Sequence, residues 1–441
     1  MKVGFARVDI TPEEFGPMGG HGNDEIRICK EVCDPVCGSC IAITDEADNT
    51  VLFLACDLIH AHEAGATPAR QAVSDATGVP FDQIMLCASH THSGPSMSRP
   101  HLEAVQKYYR YLAKKLVEAA TLALADRKSA TAEIGQKLVP SMTFVRHYIM
   151  NDGTVAGPNS GSFASGVKAH LTEADEQLQL VRFCRAGGKD ALLVNWQCHV
   201  TIGEQGTSSR IMTADYPGVM RKLVEEQMNC HCAFFQGASG NLVPSTRIDA
   251  EARVEHERVA YGTALAEQVL DCAKTLHPVN TGAVKVEKRT YTGMVDHSED
   301  HRLQDAKEVM AHWMEYPTYA QRMEYSKSKG FNSMHHARGV LTRAELGESI
   351  SIDVYAIAIG DVAFITAPYE MFCSNGLFIK KNSPYKQTMI CSCTNHTIDY
   401  LADKTGFQYD IYEVNTRRMG AGTAEALADL YVKTLKEMKG N

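Results

Sequence analysis

The segment Leu86-Cys87-Ala88-Ser89-His90-Thr91-His92-Ser93-Gly94-Pro95 carries an apolar run into a Gly-Pro turn, with two imidazoles where the run ends. Residues 84–88 are apolar enough to form a buried strand. Side chains two apart on extended backbone point the same way, so His90 and His92 are expected to serve one site. A His-x-His pair at a strand end is a recurrent way to hold a catalytic metal. The same residues also fit an ordinary surface loop, and what else arrives at strand ends decides between the two readings.

Outward from this segment, short apolar or β-branched runs recur at 51–55, 178–183, 191–196, 233–235, 350–359, 362–365 and 388–392. Between them lie amphipathic patterns. The clearest is about 104–126, where Val105, Tyr109, Leu112, Leu116, Ala119 and Ala123 follow the three-to-four spacing of one buried stripe. Others fall near 64–77, 216–228, 251–275 and 423–438, and the charged stretch 296–347 reads as helices and loops over the core. This alternation predicts an α/β (α+β) fold with a mixed sheet and flanking helices. No Gly/Ser- or Pro-rich linker divides the 441 residues, so one compact unit is expected.

Apolar residues are 44% and charged residues 22%, an ordinary soluble balance, and the net charge of −9 offers no basic face for nucleic acid or anionic lipid. No apolar run is long enough to cross a bilayer. The N-terminal residues lack the charged-then-apolar order of a secretion signal, and many of the 14 cysteines sit inside apolar runs, as Cys56 and Cys391 do. A cytoplasmic protein with reduced, buried thiols is therefore expected, acting on a small molecule and open to self-association.

His199 closes the apolar run 191–198, and Glu370 follows the run 362–369. Open sheets gather ligands where strands run out. A single His or Glu at a strand end is commonplace; three arriving in the same manner match the two-His, one-carboxylate set of a catalytic zinc with a position left for water.

With these residues in hand the sequence resembles the neutral ceramidase family, specifically its catalytic domain. The likeness starts at Gly4-Phe5-Ala6-Arg7-Val8-Asp9-Ile10-Thr11-Pro12 and Gly16-Pro17-Met18-Gly19-Gly20-His21-Gly22, and is most specific at Ser89–Pro95. It continues through Asn195–His199, Thr213–Gly218, Gln236–Leu242, Pro368–Glu370, Asn395–Tyr400 and Tyr412-Glu413. The resemblance implies one zinc ion held by His90, His199, Glu370 and Tyr400, and hydrolysis of an amide. It further implies that His92 hydrogen-bonds the attacked group, that Arg146 contacts substrate, that Tyr412 stabilises the oxyanion, and that Asp57 and Asp215 orient the site from behind. The C-terminal immunoglobulin-like domain of that family is expected to be absent.

The chain also departs from the family pattern. Val243-Pro244-Ser245 stands where the family commonly has Ser-Pro-Asn, and Cys33-Asp34-Pro35-Val36-Cys37 replaces a segment with an aromatic and an arginine. A small, polar amide or ester is therefore expected as substrate in place of a long-chain sphingolipid. Three alternatives stand beside this reading. Cys33-x3-Cys37-x2-Cys40, with Cys29 nearby, has the spacing of an iron–sulfur radical enzyme, although Ile41-Ala42-Ile43 after it looks like a strand entering a sheet. A non-catalytic metal- or ligand-binding protein could use the same scaffold. An amidohydrolase barrel fits poorly with the charged insertion at 296–347.

Overall fold

The computed structural model describes residues 1–21, 27–157, 166–203, 209–245 and 257–440. Its organising unit is a parallel pair of strands joined by a crossover helix, and the unit occurs three times. Thr50–Cys56 pairs in parallel with Ile84–Ala88 across helix Glu63–Thr77. Ala191–Trp196 pairs with His231–Gln236 across helix Asp215–Met228. Val362–Thr366 pairs with Gln387–Cys391 across helix Cys373–Asn382. These strands are buried on both faces, which is why they read as unbroken apolar runs in the sequence.

Among the described residues, the first two units stand at opposite ends of a nine-stranded mixed sheet. Between them lie the antiparallel strands Gln177–Arg185, Lys128–Leu138, Lys2–Asp9 and Cys37–Thr44, with His277–Val279 as a side branch. The third unit extends a four-stranded sheet begun by Val284–Met294 and Ser349–Ile359. Facing sides of the two sheets share one apolar layer, in which Phe53 meets Phe364 at 4.9 Å and Phe235 at 5.8 Å. The outer faces are covered by helices: Glu63–Thr77 and Glu103–Ala125 at one end of the large sheet, Asp215–Met228 and Arg258–Ala273 at the other, Thr423–Gly440 on the small sheet. The result is a helix–sheet–sheet–helix stack with a mixed sheet, the fold class the sequence predicts.

Among the described residues, four strands of eight or more residues escape the sequence reading wholly or in part. Lys128–Leu138 and Val284–Met294 alternate buried with exposed positions and carry Lys and Glu on the wet side, so they show no apolar run. Lys2–Asp9 carries two lysine or arginine side chains, and only the Ile41–Ile43 part of Cys37–Thr44 reads as a strand. The helix expected from 251 is seen from Arg258; residues 251–256 lie outside the described part.

The insertion at 296–347 forms helices Leu303–His312, Tyr319–Ser328 and Met334–Ala344 around Trp313, Phe331, Ala337 and Val340. Glu299 ties it down, accepting from Arg302 Nη1 at 2.6 Å, Arg343 Nη2 at 2.6 Å and His336 Nε2 at 2.9 Å. Burial alone would raise the Glu299 carboxyl, but His336, Arg343 and Arg417 bring it down from 4.5 to about 2. A depressed carboxyl stabilises the folded state above its unfolded value and stops doing so as pH falls toward the folded one. Glu299→Gln should thus lower stability at neutral pH by about 1–3 kcal/mol, the range for lost charge-assisted bonds. Between pH 4.5 and 2 its melting temperature should fall less steeply than that of the wild type.

Candidate metal centre

All three strand–helix–strand units open at the same rim, and the expected site residues lie in the loops at the carboxyl ends of their strands. His90 follows Ile84–Ala88, His199 follows Ala191–Trp196, Glu370 follows Val362–Thr366, and Tyr400 follows Gln387–Cys391. Buried bonds lock the units together beneath the rim. Asn195 Nδ2 donates to Phe235 O and Ile390 O at 2.9 and 2.8 Å, and Asn395 Oδ1 accepts from Leu86 N at 2.8 Å. Glu370 and Tyr400 are placed opposite one another by a two-residue parallel pairing.

Distances at the centre are short and nearly equal. Glu370 Oε2 lies 3.2 Å from His90 Nε2 and 3.2 Å from His199 Nε2, and Tyr400 OH lies 3.3 Å from His199 Nε2. His92 Nε2 is 3.3 Å from His90 Nε2, and the ligand atoms of His90, His92 and His199 all fall within 4.8 Å of one another. A tetrahedron with bonds of about 2.0 Å has edges of about 3.3 Å.

The outer ring nitrogens are already engaged. His90 Nδ1 donates to Ile59 O at 2.7 Å and His199 Nδ1 to Ser239 O at 2.8 Å, so each Nε2 turns inward and is the atom that carries the lone pair when the ring is neutral. Lone pairs then face a carboxylate oxygen that is itself buried without a hydrogen-bond partner. Burial would lower the proton affinity of His90, yet Glu370 and Cys393 beside it raise that affinity well above the ordinary value. His199 moves the other way, through burial and the Arg146 cation. Despite its burial Glu370 is held well below the usual carboxylate range, chiefly by His90. The cluster draws positive charge to its middle, and a divalent cation fits the donor set.

The two imidazoles of the His-x-His segment do not meet for the reason that strand periodicity suggests. His90 has φ +69°, in the left-handed region, so the backbone turns between the strand and His92. Its amide donates to Leu58 O at 2.9 Å, and that of His92 to Val200 O at 2.9 Å, which joins this loop to the one carrying His199. Arg27, fully buried, donates to the His92 and Gly19 carbonyls at 2.7 Å. Two glycines of the Gln236–Leu242 block leave no room for a side chain: a Cβ on Gly240 would lie 2.6 Å from Glu370 O, and one on Gly237 2.8 Å from Gln197 Cβ.

Arg146 and Tyr412 complete the inner ring. Phe144–Val145 pairs with Leu242–Val243, which brings Arg146 to the centre, its Nη1 3.5 Å from His199 Nε2 and its guanidinium 5.3 Å from the Tyr400 ring. Tyr412 begins the short helix Tyr412–Asn415 and packs edge-on to Tyr400 at 5.7 Å. Burial and the negative Glu370 raise both phenols, so each keeps its proton. His92 is kept neutral by burial and by His90, and its Nδ1 is buried without a partner. Asp57 and Asp215 stand farther back. Asp57 accepts from both terminal nitrogens of Arg221 and from Cys37 N, while Asp215 accepts from Gly203 N and Tyr216 N.

Sequence reading missed Glu413, which no solvent reaches. It takes Arg146 Nε at 2.6 Å and His147 Nε2 at 2.8 Å. Its only signal was its place in the Tyr412-Glu413 block. The four N-terminal cysteines do not assemble. Cys37 and Cys40 lie on opposite faces of one strand, Cys40 is buried in the helix-side core, and Cys33 Sγ is contacted by Arg258 Nη2. Gly22 of the opening motif lies outside the described residues.

The sequence matches no family model and no curated protein. The structure does find neighbours: 98% of the chain superposes on 73% of the neutral ceramidase from Pseudomonas aeruginosa, with a TM-score of 0.71 and 16% identity. The fold is that of the neutral ceramidases. A ceramidase complexed with C2 gives the same answer, with a TM-score of 0.70, 16% identity and coverage of 100% of this chain and 75% of the other. The ceramidase fold thus extends over essentially all of this chain, from the Lys2–Asp9 strand to the Thr423–Gly440 helix.

Proposed function

We propose that the chain is a zinc-dependent hydrolase that cleaves the carbon–nitrogen bond of a small N-acyl substrate, with residues 1–441 acting as one catalytic unit in the cytoplasm. The observation that carries this reading is the set of 3.2–3.3 Å separations joining Glu370 to His90 and His199, and His199 to Tyr400, around buried lone pairs. His90, His199, Glu370 and Tyr400 would hold the ion. Zinc, when bound, supplies water acidic enough to attack near neutral pH and a Lewis acid for the carbonyl.

The residues around it supply the rest. As water adds to the carbonyl carbon, negative charge grows on the carbonyl oxygen; as the carbon–nitrogen bond breaks, the amine leaves with a proton. Tyr412, protonated and packed on Tyr400, and Arg146, held by Glu413 with Nη1 3.5 Å from His199 Nε2, would be the donors to that charge. His92, neutral and close to His90, can donate to the attacked group and carry a proton toward the leaving nitrogen. Asp57 and Asp215 hold the loops that bear the inner ring.

The test combines zinc content with an amide and ester panel on the zinc-loaded protein. His92→Ala should keep the metal and lower kcat by about 10²–10³, the loss seen when one well-aimed donor is removed. An unchanged rate would remove His92 from the reaction. Loss of metal in this variant would make it a ligand, as its 3.3 Å approach to His90 also allows. A non-catalytic binding protein would hold zinc and turn over nothing on the panel.

A further inference from the structure

Five imidazoles outside the inner ring come to its rim from four separate segments. In the first strand–helix–strand unit, the loop after the leading strand carries His60 and His62, in the position where the other two units carry His199 and Glu370. His60 interacts electrostatically with both His90 and Glu370, bonds Ser98 Oγ through Nε2 at 2.8 Å, and lies 6.3 Å from the His62 ring. His396, from the loop that leads to Tyr400, joins them through Glu63 at 2.7 Å, next to His62. On another side His21 packs at 5.1 Å on His92. His335, carried in by the helical insertion, stands edge-on to Tyr412 at 5.6 Å.

The geometry points to a substrate whose portion beyond the scissile amide is an uncharged, hydroxyl-bearing segment, recognised by this imidazole rim. The inference rests on the zinc hydrolase reading and names the substrate class of that same site. A neutral imidazole pairs one N–H donor with one acceptor, as a hydroxyl does. His396 spends both nitrogens on Glu63 and Thr397 N, and His60 and His62 spend one each on Ser98 Oγ and Ala64 N, so recognition falls to His21, His335 and the second nitrogens of His60 and His62. An alkyl chain laid against the rim would strip water from these nitrogens and return no hydrogen bond. Burial, with Arg27 and Arg338 beside them, lowers His21 and His335 to about 4, so these two imidazoles are neutral at physiological pH. The nearby Arg418 is already paired with Asp399 at 2.8 Å.

Two zinc-binding hydroxamates of opposite character test this without knowledge of the natural substrate, because the hydroxamate anchors at the ion and leaves its chain against the rim. Binding of gluconohydroxamate and octanohydroxamate to the zinc-loaded protein is measured by calorimetry, alongside zinc content. Gluconohydroxamate should bind tighter by roughly tenfold or more, the worth of one or two hydrogen bonds. His60→Leu and His335→Leu, checked for retained zinc and circular dichroism, should each narrow that preference, and His335→Gln should restore part of it. Equal or tighter binding of the octanoyl compound overturns the inference, as does an unchanged preference in both leucine variants or failure of both compounds on a zinc-loaded protein. A protein that retains no zinc overturns the hydrolase reading instead.

Discussion

Replacing His90 with alanine should strip zinc from the protein, and Glu370→Ala should do the same, while both variants remain folded. Each removes one member of the run His90–Glu370–His199–Tyr400, whose successive donor atoms lie 3.2–3.3 Å apart, about the edge of a zinc tetrahedron. The backbone of His90 keeps its own anchor, the bond to Leu58 O, and the strand before it remains buried on both faces. Alanine at φ +69° carries a strain of roughly 1–2 kcal/mol, so His90→Asn, a residue that tolerates that conformation, separates ligand loss from backbone strain. The measurement is zinc per chain by mass spectrometry with circular dichroism as the control, and hydrolysis should drop to background with the metal. Stoichiometric zinc in both variants would dismiss the ligand set.

Glu413→Gln should destabilise the protein by about 3–5 kcal/mol, the usual consequence of leaving a buried cation without its counter-charge. The glutamine fills the same space, but Arg146 and His147 then lose the carboxylate that takes both of them. Burial would raise the Glu413 carboxyl, and Arg146 and His147 instead hold it down from 4.5 to about 2. Its contribution is therefore complete above the unfolded value of 4.5 and disappears as pH falls toward 2. Denaturant melts at pH 7 and pH 3 check this: the gap between wild type and variant should be wide at the first and narrower at the second. Freed from Glu413, Arg146 should also lose its aim at the cluster, so residual activity should fall even at temperatures where the variant is folded. A gap that is the same at both pH values would rule out the charge as its source.

Much of the fold and of the site could be read from local pattern, and the exceptions share a physical cause. The three crossover units were legible because parallel strands buried on both faces must be apolar throughout. Lys128–Leu138 and Val284–Met294 were not, because only alternate residues face the core and their wet faces carry lysine and glutamate. The strand-end positions of His90, His199 and Glu370 were legible in the sequence, whereas Tyr400 entered only through the family resemblance. Glu413 was not, since a lone glutamate on a short helix gives no sign that Arg146, 267 positions away, lies against it. The spacing of Cys33, Cys37 and Cys40 misled in the other direction: chain distance matched a cluster, while the pleat of the strand sends Cys37 and Cys40 to opposite faces.

The sequence alone therefore determined the α/β class and the strand ends at which the candidate residues sit, because burial and turn formation are local demands written into neighbouring residues. Tertiary structure alone decided that three loops open at one rim, that His90, Glu370, His199 and Tyr400 follow one another at 3.2–3.3 Å, and that histidines from four segments stand around them. Those contacts join positions hundreds of residues apart. They are set by how two sheets stack and which carbonyl takes each Nδ1–H, and no local pattern encodes either.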